Sequence, residues 1–225
     1  MNERFKFDKK YLKDYAYAAG ADEAGRGAGA GDVFAAAVCF SDIYNNAETQ
    51  LLFEKLNDSK QLERKTRENL YELIAQNSIW AVYQGSVEDI ARLNILKTSL
   101  LTMKRCIESV SVQLKSDNII ALIDGNKKIP QLKYAQETVI KGDCKSAAIA
   151  AASIMAKVSR DRYMNKLDAV HPEYGWRGNK GYMTKQHLDA VLKYGLSEYH
   201  RKEFFNKFFE KHSSNEKQLS LFPSL

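Results

Sequence analysis

The stretch Gly20-Ala21-Asp22-Glu23-Ala24-Gly25-Arg26-Gly27 places two adjacent carboxylates directly before a glycine-rich turn. A semi-apolar segment at 15–19 precedes it and an apolar run at 33–40 follows, which predicts a strand, an acidic tip, a turn and a second strand. Adjacent acids are costly unless a positive group neutralises them, and a divalent metal ion is the usual one. An arginine between glycines lets the backbone approach a ligand while a guanidinium contacts phosphate. A charged hairpin turn is the simpler alternative.

Periodicity along the rest of the chain continues an α/β pattern. Apolar or alternating runs predict further strands at 79–87, 118–123 and 134–140. Apolar residues spaced three and four positions apart predict helices at 63–76, 146–170, 187–194 and 203–212, and one or two helices at 87–115. The order β-β-α-β-α-β-β-α favours an α/β fold with a mixed central sheet flanked by helices, plus a C-terminal helical portion.

Length, composition and charge narrow the class of protein. The chain has 225 residues, which suffices for one substantial core, and no apolar stretch approaches the roughly 20 residues that span a bilayer. The N-terminus lacks the apolar centre of a signal peptide, so we expect a cytoplasmic protein without a membrane partner. The net charge of +6 permits a polyanionic partner such as nucleic acid.

Two further acids follow predicted strands. Asp124 ends the apolar run at 118–123, and Asp143 lies between the strand at 134–140 and the alanine-rich helix. Each acid has a simpler alternative, because Asp-Gly is a common turn and Asp is a favoured helix N-cap. Four acids at strand ends around one sheet nevertheless indicate a convergent cluster, which two-metal hydrolysis of a phosphodiester requires.

A series of ordered motifs makes the chain resemble the type 2 ribonucleases H (ribonuclease HII) from about residue 17 to residue 205. The motifs are DEAGRG (22–27), LNDSKQL (56–62), LNIL (93–96), MKR (103–105), IDGN (123–126), GDCKS (142–146), AAASIMAKVSRDRYM (150–164), KGYMTKQH (180–187) and YHRKEF (199–204). The resemblance implies an RNase H-like fold. It also implies an endonuclease that hydrolyses the RNA strand of RNA–DNA hybrids and cuts 5′ of single ribonucleotides in duplex DNA, leaving 3′-hydroxyl and 5′-phosphate ends.

The resemblance implies a metal centre with Mn²⁺ or Mg²⁺ as its cofactor. The family's four metal-binding carboxylates fall on Asp22, Glu23, Asp124 and Asp143. Two-metal-ion hydrolysis by these acids would serve ribonucleotide removal in DNA replication and repair.

Substrate contacts are implied in the same way. The loop Gly25-Arg26-Gly27 is similar to the family's ribonucleotide sensor, which reads the 2′-hydroxyl that distinguishes RNA from DNA. Tyr182 corresponds to the tyrosine that stacks against the sugar, with an ordinary core or surface tyrosine as the alternative. Lys60 and Lys145 match positions that touch substrate phosphates, and exposed surface lysines are the alternative.

Some positions depart from the family's pattern or have no assigned role. The departures are Ala28, Asp32 and Asn179. The first two replace prolines after the glycine loop and the third replaces a histidine, so we expect differences in loop rigidity, metal affinity or proton transfer. Asp161 matches a family motif, but an ion pair along its helix is the favoured interpretation. His200 and Arg201 match a family segment without a clear chemical role.

The C-terminal end carries a separate motif. Gln218-Leu219-Ser220-Leu221-Phe222 follows a polar stretch and resembles the bacterial sliding-clamp-binding peptide. An extended peptide of this kind offers Leu221 and Phe222 to an apolar pocket, with Gln218 supplying a specific hydrogen bond. A frayed tail, or a segment folded back on the domain, is the alternative.

The expected organisation is an N-terminal extension at 1–14, a catalytic domain at 15–210 that includes the helical portion, and a flexible tail at 211–225. We expect a monomer whose partners are RNA–DNA hybrids and DNA that contains ribonucleotides. Two rival interpretations stay open at this point: another nuclease of the RNase H fold, and a catalytically silent nucleic-acid-binding module.

Overall fold

A mixed five-stranded sheet forms the centre of the computed structural model, which describes residues 3–41, 43, 50, 51, 53 and 63–211. The strands are β1 (Tyr17–Ala24), β2 (Val33–Cys39), β3 (Ile79–Gly85), β4 (Ile119–Asp124) and β5 (Ala135–Val139). They lie in the order β3-β2-β1-β4-β5. The pairs β1–β2 and β2–β3 are antiparallel, whereas β1–β4 and β4–β5 are parallel. The carboxyl ends of β1 and β4 therefore lie side by side.

Helices cover both faces of the sheet and form the C-terminal portion. They are α1 (Glu3–Lys9), α2 (Arg64–Asn77), α3 (Val87–Leu93), α4 (Ile95–Leu114), α5 (Gly142–Lys145), α6 (Ala147–Val170), α7 (Trp176–Asn179), α8 (Lys185–Tyr194) and a last helical segment at 206–211. Short 3-10 turns occupy Lys10–Lys13, Pro172–Tyr174 and Lys202–Phe205. Across the described ranges, none of the helices combines the length and hydropathy that crossing a membrane requires.

The close approach of α6 to β1 sets the position of the acidic strand. The helix begins with small residues that are fully buried, among them Ala147, Ala148 and Ala150. A Cβ atom at Gly20 would lie 2.2 Å from the backbone carbon of Ala148, so only glycine fits at this contact. This packing holds the start of α6 directly against the strand that carries Asp22.

The other face of the sheet is covered by α4. Its buried residues Met103, Cys106 and Ile107 pack against small residues of β1, β2 and β4. A separate apolar cluster, which includes Trp176 and Phe205, forms the centre of the C-terminal helical portion. The helical portion therefore has its own core beside the sheet.

Two details differ from the sequence-based predictions. The acids do not form a tip beyond the first strand, because β1 pairs Asp22 with Ala36 and Glu23 with Ala35 of β2 before it ends. The helix α1 was not predicted, since its seven residues are too few to show clear periodicity. Its Phe5 is fully buried in the core that also contains α6.

Candidate active site

One cavity of about 660 Å³ brings the four predicted carboxylates together. Its lining residues are Asp22, Glu23, Ala24, Gly25, Arg26, Gly27, Arg67, Asp124, Asp143, Ser153, Lys157 and Tyr182. The acids come from β1, β4 and α5, which are far apart in the chain. The cavity thus joins the acidic cluster, the glycine loop and Tyr182 in one place.

The sheet and the short helix α5 position the acids. Asp22 lies next to Ser153 of α6, which hydrogen-bonds its carboxylate. Asp124 is the last residue of β4, and its Oδ1 accepts a hydrogen bond of 2.8 Å from the Gly142 N–H. This bond ties the end of β4 to α5, whose first turn contains Asp143. Asp143 does not cap α6, because Ser146 occupies the N-cap position.

The concentration of negative charge makes the cluster electrostatically unfavourable without a cation. Burial, followed by the charges of Glu23 and Asp124, raises the pKa of Asp22 well above its usual range. Hydrogen bonds from Ser153 and from the Glu23 N–H, at 2.7 Å to Asp22 Oδ1, oppose that rise. A bound cation would relieve the same repulsion.

The chemistry of these donors fits a hard divalent ion. All four side chains offer carboxylate oxygens, which Mg²⁺ and Mn²⁺ prefer as ligands. Within the ranges that the structure describes, no three Asp, Glu, His or Cys side chains are already arranged around a common ion position. The donor chemistry of the acids therefore matches Mg²⁺ or Mn²⁺.

The glycine loop borders the acids and faces Tyr182. Arg26 is exposed and its Nη1 forms an ion pair of 2.9 Å with Glu23 Oε1, which links the loop to the acidic cluster. Gly25 has φ of +91°, and a Cβ atom there would lie 2.0 Å from Nε of Arg160. A Cβ atom at Gly27 would lie 3.9 Å from the Tyr182 ring. An exposed aromatic ring and an exposed backbone thus meet at the mouth of the cavity.

Arg201 is a residue whose role the sequence did not reveal. Its side chain is fully buried beneath the glycine loop. Its Nη1 donates to the carbonyl oxygens of Gly25 at 2.7 Å and Arg26 at 3.1 Å, and its Nε donates to Gly31 at 2.9 Å. The guanidinium therefore fixes the backbone of the loop from inside the molecule.

Arg160 supports the same region from α6. It donates to the carbonyl oxygens of Asp32 at 3.1 Å, Lys180 at 2.9 Å and Ala30 at 3.0 Å. These bonds connect the segment after the glycine loop with the segment before Tyr182. Both arginines lie in motifs that matched the family, but neither the motifs nor the spacing indicated that backbone carbonyls would be their partners.

Two more basic residues line the cavity and were also missed. Arg67 of α2 and Lys157 of α6 stand on its wall. Lys157 Nζ forms an ion pair of 2.6 Å with Asp161, four residues further along the same helix. The ion pair predicted for Asp161 along its helix is therefore present.

The remaining predicted positions lie elsewhere. Lys145 is exposed on α5 and is not among the residues that line the cavity. Lys60 and the peptide at 218–222 fall outside the described residues.

The departures from the family's pattern serve local structure. Asp32 is buried, and its Oδ1 accepts a hydrogen bond of 3.1 Å from Val87 N–H at the start of α3. Asn179 donates to the Tyr174 carbonyl and accepts from the Gly181 N–H, both at 2.8 Å, which braces the turn before Tyr182. Ala28 is buried.

A family model described as Ribonuclease HII matches residues 19–208. The chain belongs to the ribonuclease HII family. Ribonuclease HII of Pelagibacter ubique is 50% identical over 187 residues, covering 83% of this chain and 94% of the relative. Ribonuclease HII of Parabacteroides distasonis is 47% identical over 195 residues, covering 86% and 92%. RNase HII in the PCNA:RNase HII complex from Archaeoglobus fulgidus has a TM-score of 0.64 and 29% identity, covering 82% and 93%.

Membership of the ribonuclease HII family confirms two predictions from the sequence. The strand order and flanking helices are those of an RNase H-like fold, as in the structural relative. Ribonuclease HII proteins are endoribonucleases with RNase H activity, so this chain is a hydrolase that acts on RNA–DNA hybrids. Its substrate is therefore nucleic acid.

Proposed function

We propose that this ribonuclease HII-family enzyme, besides hydrolysing the RNA strand of hybrids, cuts 5′ of single ribonucleotides embedded in duplex DNA. The cut leaves a 3′-hydroxyl and a 5′-phosphate, and the enzyme serves ribonucleotide removal in DNA replication and repair. The observation that carries the proposal is the single cavity that joins the four carboxylates to Gly25-Arg26-Gly27 and Tyr182.

The acids form the cutting half of the proposed site. Asp22, Glu23, Asp124 and Asp143 would hold two Mn²⁺ or Mg²⁺ ions, which supply an activated water and stabilise the leaving oxygen when bound. The neighbouring groups hold the acids in place: Ser153 bonds Asp22, and the Gly142 N–H bonds Asp124. Part of the coordination sphere is thereby oriented by the protein before metal and substrate arrive.

The glycine loop and Tyr182 form the selecting half. Arg26 and Gly27 are exposed, so the guanidinium and the backbone can reach a 2′-hydroxyl and the adjacent phosphates. Tyr182 is 41% exposed, so its ring can stack against the sugar beside the ribonucleotide. Because Arg26 pairs with Glu23, binding at the sensor is coupled to the position of a proposed metal ligand.

Basic residues around the cavity would hold the nucleic-acid backbone. Arg67 and Lys157 line the wall beside the acids. Lys145 lies on the exposed side of α5, and Lys60 is the corresponding proposal from the family motif. Phosphate contacts of this kind add affinity without adding sequence preference.

Cleavage of a defined duplex tests this proposal. A DNA duplex with one ribonucleotide in one strand is incubated with the enzyme and Mn²⁺, and the product ends are mapped. We expect one cut 5′ of the ribonucleotide, no cut in the all-DNA duplex, and no cut by Asp124→Asn. Failure of the wild-type enzyme to cut, or equal cutting by Asp124→Asn, would contradict the proposal and favour one of the rival interpretations.

The C-terminal peptide supports a second proposed contact, with a bacterial sliding clamp. The structural relative from Archaeoglobus fulgidus forms a complex with PCNA, and residues 218–222 of this chain match a clamp-binding peptide. Tethering to a clamp would raise the local concentration of enzyme on DNA. Deletion of residues 218–225 should abolish clamp binding in a pull-down with purified clamp while leaving cleavage of short duplexes unchanged. Full clamp binding after the deletion would exclude this peptide as the contact.

A further inference from the structure

The helix α1 lies outside the segment that matches the family model, yet it packs against the candidate active site. The match begins at residue 19, whereas α1 covers Glu3–Lys9. Phe5 and Asp8 are fully buried, the first in the core that contains α6 and the second at the beginning of α6. An apolar anchor and a buried acid together fix α1 on the body of the enzyme.

Asp8 caps the N-terminus of α6 from a distance of 140 residues in sequence. Its Oδ2 accepts a hydrogen bond of 2.8 Å from the Ala148 N–H, and it also hydrogen-bonds the Ser146 side chain. Ser146, the N-cap residue of α6, accepts a hydrogen bond of 3.1 Å from the Ile149 N–H. Asp8 thus satisfies a helix N–H that Ser146 does not reach.

Arg4 extends the same contact to α5. Its Nε donates a hydrogen bond of 3.2 Å to the backbone carbonyl of Asp143. On the other side, the Gly142 N–H is bound by Asp124. The helix α5 is therefore held between α1 and the end of β4.

The helix α5 needs such external support. It has four residues, fewer than a helix needs for stability by itself. It follows Lys141, which has φ of +55°, a conformation that persists in a non-glycine residue only when its surroundings enforce it. The carboxylate of Asp143 is thus presented by a segment whose geometry depends on its neighbours.

We propose that Arg4 and Asp8 are positioning residues: they brace segment 142–148 so that Asp143 faces the other three acids. The proposal rests on the proposed metal-binding role of Asp143. It assigns to the N-terminal helix a function in catalysis through the geometry of the fourth carboxylate.

Single substitutions test the positioning role of Arg4 and Asp8 through two measurements, amide hydrogen exchange and cleavage kinetics. Arg4→Ala and Asp8→Ala should accelerate amide hydrogen exchange in the peptide covering 140–149 and leave β1 unchanged. They should lower kcat on an RNA–DNA hybrid by roughly 10- to 100-fold, the usual effect of removing an outer-shell partner, with little change in KM. Asp8→Asn keeps a hydrogen-bond acceptor and should restore most of the activity. Lys6→Ala, an exposed change on the same helix, is the matched control.

The outcomes separate this proposal from the proposed function. The positioning role of Arg4 and Asp8 would be contradicted if amide hydrogen exchange at 140–149 were unchanged in both alanine variants. It would also be contradicted if exchange rose equally throughout the sheet. Asp143→Asn is assayed alongside. If Asp143→Asn is inactive and the Arg4 and Asp8 variants are fully active, the proposed positioning role of Arg4 and Asp8 is wrong and the proposed role of Asp143 stands. If Asp143→Asn is fully active, the proposed role of Asp143 is wrong, and so is the positioning role that depends on it.

Discussion

Arg201 shows how a single buried charge can organise the glycine loop. Burial, and secondarily the charge of Arg160, lowers the pKa of Arg201 to about 9, so the guanidinium remains protonated at neutral pH. Its hydrogen bonds to the backbone carbonyls of Gly25, Arg26 and Gly31 compensate for part of the hydration that the buried guanidinium loses. The loop is therefore held by its backbone, while the Arg26 side chain, which we propose contacts substrate, is exposed and paired with Glu23.

Gly25 is the residue at which the loop tolerates substitution least. Gly25→Ala adds a Cβ atom 2.0 Å from Arg160 Nε at a φ of +91°, so we expect a loss of about 1–3 kcal/mol in the free energy of unfolding. Because its loop is displaced, the variant should also cleave a single-ribonucleotide duplex up to about 100-fold more slowly than wild type. Urea unfolding and cleavage rates measure the two effects.

Gly178→Ala provides the matched control for this substitution. A Cβ atom at Gly178 would meet no heavy atom within 4 Å. We expect it to leave both stability and cleavage near wild type. Equal behaviour of the two alanine variants would show that the loop does not require glycine at position 25.

At the scale of elements, the C-terminal helical portion places Tyr182 through a buried pair of histidines. His187 Nδ1 lies 3.0 Å from the Tyr182 carbonyl oxygen, and its Nε2 lies 3.1 Å from both Trp176 Nε1 and His200 Nε2. His200 Nδ1 accepts a hydrogen bond of 2.9 Å from the Ser197 N–H. With both rings neutral, His187 donates from Nδ1 to Tyr182, and its single Nε2 lone pair is shared by the Trp176 Nε1–H and the His200 Nε2–H. Protonation of either ring would disrupt the network.

This network predicts loss of stability in acid. Burial, and then the charge of His187, lowers the pKa of His200 to about 4 from the ordinary value of 6.5. The unfolded chain therefore binds more protons between these values, so His200 contributes stability above pH 6.5 that is lost as pH falls towards 4. Urea unfolding of wild type and His200→Gln across this range should show a steeper loss in wild type. Parallel curves for the two proteins would contradict the account.

The sequence predicted the elements that have strong local signals. The alternating and apolar runs located β3, β4 and β5 to within one or two residues. The helical pattern at 146–170 located α6 to within one residue. The positions of acids at strand ends likewise predicted a shared site, because parallel neighbours such as β1 and β4 end at the same edge.

The parts that the sequence did not predict depend on contacts between distant segments. The bond from Arg201 to Gly25 spans 176 residues and the cap that Asp8 supplies to α6 spans 140. Neither leaves a periodic pattern, since a buried arginine that binds carbonyls has the same local sequence as one that binds phosphate. The helix α1 was missed for the same reason, as its stability comes from packing rather than from its own short sequence.

At the scale of the whole molecule, the sheet, α5 and the glycine loop together line one cavity, which we propose both cuts and selects. The elements that support this site come from both ends of the described chain, with α1 behind α5 and Arg201 behind the loop. Because burial and neighbouring acids raise the pKa of Asp22, the cluster carries an electrostatic cost in the absence of a cation. That cost is expected of a site arranged for metal binding rather than for stability alone.

Single-turnover cleavage of a single-ribonucleotide duplex by wild type and Asp22→Asn tests the proposed role of the carboxylate cluster. The substitution removes one buried carboxylate and keeps the size of the side chain, so the fold should persist. We expect the variant to cut at least about 100-fold more slowly than wild type in Mn²⁺ while binding the duplex with similar affinity. A folded Asp22→Asn enzyme that cuts at the wild-type rate would contradict the account.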